Sequence, residues 1–165
     1  MKKYITSTAY KRINREIQKL LKKQSKVGKE KGQSAGEVLT NWHDNFAYEQ
    51  LGRDFQIVNK QINELQDILS GAETISVVEQ NEIVAIGNTV DYKINGKEKS
   101  ITIGSYGESE VEMGLISYSS PLGSLLIDLK KGDVKTGKIN SGIVEIEVIM
   151  IYPPSYKYMN LQQEL

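Results

Sequence analysis

The 165-residue chain contains no cysteine, which removes disulfides, thiolate metal sites and cysteine nucleophiles at once. That composition fits a reducing cytoplasm. No apolar run approaches the roughly 18 residues of a membrane span. Behind the lysines of Met1-Lys2-Lys3-Tyr4-Ile5-Thr6 there is no apolar segment of the kind a secretory signal carries. These absences predict a soluble, cytoplasmic protein with no membrane partner. Aromatics are scarce: there are two phenylalanines and one tryptophan, and Trp42, Phe46 and Phe55 fall in one stretch, leaving only tyrosines after Glu73. The single histidine, His43, reads as an exposed turn residue rather than a catalytic group. Acid is nearly missing from the start of the chain. Up to Gly32 only Glu16 and Glu30 face Lys2, Lys3, Lys11, Arg12, Arg15, Lys19, Lys22, Lys23, Lys26, Lys29 and Lys31, although the whole chain has zero net charge. Such asymmetry suits either a polyanion contact along one helix or a solvated lysine-rich face.

What is present is a heptad. Leu51, Phe55, Val58, Ile62, Leu65 and Leu69 recur at alternating spacings of four and three, the stripe of a coiled-coil seam. Tyr10, Ile13, Ile17 and Leu20 keep the same rhythm upstream, with Val27 and Val38 in phase. Thr6 or Ser7 can cap the first helix, whose orphan amides donate to a side-chain oxygen. Gly71 suits the left-handed residue that follows the second. Two helices joined by a short polar turn near residue 41 pair antiparallel, so Ile13 faces Leu69, Ile17 faces Leu65, Leu20 faces Ile62 and Val27 faces Phe55. The distal half is weaker. Gln24, Lys31 and Ser34 sit on the seam, and Gly28, Gly32 and Gly36 recur every fourth residue, each costing roughly 1 kcal/mol of helix stability against alanine. They serve either floppiness or a close backbone approach. Asp44 lies near the tip of this finger, where it can cap the second helix or hold a metal.

After Glu73 the period changes to alternation. Strands are predicted at 75–78, 89–94, 99–103, 134–139 and 143–151. Asn95-Gly96 and Asn140-Ser141-Gly142 mark hairpins, Lys131-Gly132-Asp133 a turn, and Ser120 to Leu129 one short helix with Pro121 in its first turn. The expected fold class is α+β: an antiparallel helical hairpin over 1–71, an antiparallel sheet-plus-helix domain over 72–152, and a loose or lightly docked tail over 153–165.

Four segments resemble the Gre family of bacterial transcript cleavage factors. Tyr4-Ile5-Thr6 with Tyr10, Ile13 and Glu16-Ile17 is similar to that family's opening pattern. Asp44-Asn45 with Tyr48 is similar to the "Glu-Asn-Ala-Glu-Tyr" of its finger tip. Arg53, Ile62, Leu65, Leu69-Ser70 and Ala72 to Ile75 follow its return helix. Ile116 to Gly123, Lys131-Gly132-Asp133 and Val144 to Val148 track its C-terminal domain. The resemblance implies an FKBP-like second domain that docks at the rim of the RNA polymerase secondary channel through Ser120, Pro121, Leu122 and Gly123. It also implies a finger inside the channel whose tip acids help hold Mg2+ at the polymerase active site, where backtracked nascent RNA is hydrolysed.

On that basis the metal-directed residues are Asp44 and Asn41, and the face toward RNA is Lys19, Lys22, Lys23, Lys26 and Arg53. The protein is then a monomeric, DNA-binding class of transcription regulator with no catalytic residue of its own; the polymerase is the enzyme. Hard oxygen donors suit magnesium, which keeps several waters. The family tip "Gly-Asp-Leu-x-Glu-Asn" offers two acids, whereas here Thr40, Asn41 and Trp42 replace its first three residues and Asp44 its Glu. An amide is a poorer ligand, so a channel-binding regulator without efficient cleavage is the alternative. A prolyl isomerase and a coiled-coil adaptor with no polymerase partner are readings from other classes.

Overall fold

The computed structural model describes residues 2–38, 45–154 and 158. The chain divides into two compact units, Lys11–Gly71 on one side and Met1–Tyr10 with Ala72–Leu165 on the other. The first ten residues thus group with the sheet unit.

The helical unit is built from α1 (Ser7–Val38) and α2 (Asn45–Leu69). At 32 residues α1 is about 48 Å long for a rise of 1.5 Å per residue. Thr6 caps it: the Oγ1 accepts from the Ala9 amide at 3.2 Å, three residues into a turn whose N–H groups have no helical partner. Gly71 ends α2 with a φ of 68°, and the Ser70 amide closes the last turn on the Gln66 carbonyl. The seam follows the heptad. Ile13, Ile17, Val27, Val58 and Ile62 are all buried.

The sheet unit opens with a strand that the periodicity did not reveal, β1 (Lys3–Thr6), which pairs in parallel with β2 (Ala72–Ile75). The strand expected at 75–78 is therefore displaced, and from Ser76 the chain runs irregularly. Buried Asn88 ties this segment to the sheet: its amide donates to the Gln80 and Tyr152 carbonyls while its Oδ1 accepts from the Ala85 amide. Four further strands, β3 (Thr89–Ile94), β4 (Lys97–Gly104), β6 (Val134–Ile139) and β7 (Gly142–Tyr152), join β5 (Leu115–Ser117) in one sheet ordered β5-β4-β3-β7-β6. Both expected hairpins form. Asn95-Gly96 and Asn140-Ser141 are two-residue turns between paired ends, with Asn95, Gly96 and Asn140 at positive φ.

The sheet is mixed rather than antiparallel, because β5 runs parallel to β4. Tight turns announce antiparallel neighbours, whereas β4 and β5 are joined by the excursion 105–114, which includes a 3-10 turn at Val111–Met113. The short helix α3 (Pro121–Leu126) stops before the expected Leu129, since Ile127 is extended and Asp128 is left-handed at φ 67°. It packs over a core of Val90, Tyr92, Ile103, Leu126, Ile146 and Val148. Of the segment 153–165, the described residues are Pro153, Pro154 and Tyr158. Tyr158 is buried, and its hydroxyl donates to Glu108 Oε2 at 3.0 Å, beside the amide and hydroxyl of Ser105 at 2.8 and 2.7 Å.

Candidate functional site

Both helices of the hairpin bring functional side chains from the sequence into one unit. In the seam the Gln24 amide donates to Asn59 Oδ1, a polar layer of the kind that fixes coiled-coil register. Four residues on, a Cβ built on Gly28 would lie 3.5 Å from the Phe55 ring. Both contacts fall within one residue of the expected pairing of Val27 with Phe55. Further out, Lys31 Nζ sits 5.1 Å from the Tyr48 ring centroid. The two helices therefore remain side by side close to the segment 39–44. Asn41, Trp42, His43 and Asp44 lie outside the described residues, and Asp44 immediately precedes the first residue of α2. Among the described residues there is no group of three or more His, Cys, Asp or Glu able to hold a metal.

Lys19, Lys22, Lys23 and Lys26 are all exposed on α1, at the spacing that puts residues on one helical stripe. Lys19 reaches Glu16 at 3.4 Å and Lys26 reaches Glu30 at 3.9 Å. Lys22 and Lys23 have no ion pair among the described residues. Exposed pairs of this type are worth under about 1 kcal/mol, so a phosphate can replace them at little expense. Arg53 stands on α2, and its contacts are within that helix. It donates to Gln50 Oε1 at 3.0 and 3.3 Å, approaches Glu49 at 3.9 Å, and holds its guanidinium 5.9 Å from the Phe46 ring centroid. Charge marks Arg53 in the sequence, whereas its contact with Phe46 is visible only in the fold.

In the sheet unit, Ser120 caps α3 by accepting from the Gly123 amide at 3.0 Å. Pro121 follows at the first helical position and is exposed, Leu122 is half-buried, and Gly123 is buried. A Cβ on Gly123 would lie 2.2 Å from the Ser117 carbonyl oxygen, so this glycine is required by packing. Next to α3 is a groove of about 430 Å³ lined by Tyr4, Ile75, Val78, Ile86, Tyr118 and Ile127. One wall is fixed by Tyr118, whose hydroxyl donates to the Lys2 carbonyl and accepts from the Tyr4 amide, each at 2.9 Å. Burial raises the Tyr118 pKa. Nothing in the periodicity of residues 1–6 pointed to this wall, because Tyr4 reaches it through strand pairing.

Comparison with known proteins gives a consistent result. Residues 79–153 match the family model described as "Transcription elongation factor, GreA/GreB, C-term". The chain is 31% identical over 150 residues to transcription elongation factor GreA of Thermosipho melanesiensis, covering 90% of this chain and 95% of that one. It is 30% identical to GreA of Nitratiruptor sp., over 95% of this chain and 97% of the relative. Among solved structures it is similar to the GreA factor homolog 1 (Gfh1) protein of Thermus thermophilus, at 22% identity, 92% and 99% coverage and a TM-score of 0.43. Sequence identity at this level, sustained through hairpin and sheet alike, makes the chain a member of the GreA/GreB family of transcription elongation factors.

Proposed function

We propose that this protein docks through its sheet unit at the secondary channel of bacterial RNA polymerase, inserts the hairpin, and stimulates the polymerase to cleave backtracked RNA. The observation that carries the reading is the continuity of the helix pairing from the buried base through Gln24–Asn59 to Lys31–Tyr48, which brings both helices toward the segment holding Asp44. Family membership supports RNA polymerase as the partner, as does the exposed lysine stripe on α1.

Asp44 supplies the charged oxygen and Asn41 a neutral one. One carboxylate and one amide form too small a donor set to hold magnesium alone, so the remaining ligands come from the polymerase. Magnesium held there would supply an activated water and charge stabilisation for the leaving oxygen. This chain positions its carboxylate; the polymerase performs the hydrolysis. Lys19, Lys22, Lys23 and Lys26 line the path of the RNA, and Pro121 with the groove beside α3 forms the docking surface.

Asn41, standing where the family has an acid, favours a second reading: a channel-bound regulator with little cleavage activity. Stalled, backtracked elongation complexes with magnesium separate the two. Asp44→Asn preserves a capping side chain and removes the charge, so cleavage should fall at least about tenfold while polymerase binding holds. Asn41→Asp should raise cleavage at limiting magnesium. Absence of cleavage by the wild-type protein at every magnesium concentration, with no rescue by Asn41→Asp, replaces the cleavage reading with the regulator.

A further inference from the structure

Phe46 is 74% exposed. It occupies the second position of α2, where the "Glu-Asn-Ala-Glu-Tyr" pattern of the family tip has alanine. A phenylalanine presented to water loses the favourable transfer of its ring, and nothing apolar among its described neighbours covers it. What lies over it is the Arg53 guanidinium, 5.9 Å from the ring centroid. Gln50 holds that guanidinium in place by accepting two hydrogen bonds from it, while donating through Nε2 to Asp54 at 3.0 Å. Glu49 adds a charge contact at 3.9 Å.

The geometry points to Phe46 and Arg53 as a stacking platform for a nucleobase of single-stranded RNA. This assignment rests on the proposed insertion of the hairpin toward backtracked RNA and adds to it a residue that reads the base rather than the phosphate. A base inserted between ring and guanidinium would need about 7 Å, two van der Waals separations, so the base stacks on the open face of Phe46. Arg53 backs the other face and offers its charge to the adjoining phosphate. A protein hot spot would set the ring in an apolar patch. Here the positions three, four and seven residues further along α2 are Glu49, Gln50 and Arg53, a polar and partly cationic stretch suited to a base whose backbone carries an anion. Glu49 and Asp54 oppose phosphate locally, while the lysine-rich α1 supplies the wider field.

The chain contains only two phenylalanines, which makes the test direct. Full-length protein labelled at phenylalanine gives one NMR resonance from Phe46 and one from half-buried Phe55, assigned by loss of the first in Phe46→Leu. Titration with a single-stranded RNA decamer should shift the Phe46 resonance saturably and leave Phe55 in place. An abasic ribose-phosphate chain of equal length should leave both in place. Phe46→Leu should weaken RNA binding about fivefold or more and Phe46→Trp should restore it. An unmoved Phe46 resonance, or one shifted equally by the abasic chain, overturns the platform. A shift caused by RNA-free polymerase and not by RNA overturns it in favour of a protein contact. No polymerase is needed for the first titrations, so their failure is distinct from failure of the channel reading, which the Asp44→Asn cleavage assay measures.

Discussion

The Tyr118 oxygen closes two backbone hydrogen bonds of the first residues, to the Lys2 carbonyl and from the Tyr4 amide. Tyr118→Phe leaves both groups without that partner, a loss of about 1–3 kcal/mol, readable as a lower urea midpoint with unchanged slope. Burial raises the pKa of this hydroxyl above its ordinary value of 10, so its neutral form is favoured by folding. Its contribution is therefore complete below about pH 10 and is lost as pH climbs through the folded value. Urea midpoints of wild type should fall from pH 9 to 11 more steeply than those of Tyr118→Phe. Some fall persists in the variant, because burial raises Tyr92 as well. Gly123 makes a second residue-scale case. Its side-chain position is occupied by the Ser117 carbonyl oxygen, 2.2 Å away. Gly123→Ala should destabilise by more than about 2 kcal/mol, checked by thermal unfolding. Pro121, exposed and two residues earlier in the same helix, is the better residue for probing docking.

Among the elements, the glycine series of α1 separates into different situations. A Cβ on Gly28 would meet the Phe55 ring at an ordinary 3.5 Å, and one on Gly32 would meet nothing within 4 Å. Close approach is thus used at Gly28 alone of these two, and even there without necessity. Gly32→Ala should raise helical stability by about 1 kcal/mol, followed by circular dichroism on heating. The long helices were readable because a seven-residue repeat is redundant over many turns, and the hairpin strands because Asn95-Gly96 and Asn140-Ser141 leave few alternatives. The missed strands had neither support. β1 and β2 are four residues each, and their partners lie about seventy positions apart, so no local pattern records the pairing. Val77 and Val78 have strand-forming side chains, yet Val77 packs against Gly87 and Val78 is 64% exposed; tertiary packing overrode propensity. Tyr158 offered no period at all, only a buried ring and a hydroxyl that Glu108 accepts from.

For the whole molecule, zero net charge conceals a positive helix. If the α1 stripe meets RNA, each neutralised phosphate releases counterions, with a slope of about 0.7 per contact for single strands. Replacing Lys22, Lys23 and Lys26 by glutamine should lower the salt slope of binding to backtracked complexes by about 2 and weaken it more than binding to free polymerase. Salt titration of both complexes measures this, and equal losses would assign the stripe to a protein wall. The stripe itself was readable from i, i+3, i+4 spacing. Phe46 was not, because a lone aromatic in a helix is read as core until its exposure is known.

The pairing of β1 with β2 bears on how such a finger could be altered. Lys3 lies opposite Ala72 and Thr6 opposite Ile75, so the strands run in the same direction and the chain, having left at Thr6, must travel back before it can re-enter at Ala72. A tight turn can join antiparallel neighbours but not these; parallel neighbours need a crossover of about a dozen residues or more. The hairpin is that crossover. It can be trimmed by equal heptads from each leg, which preserves the register of Gln24 with Asn59, but it cannot be excised and closed with a short linker. The sheet unit thus requires a connection of at least that length between Thr6 and Ala72, and the hairpin provides it.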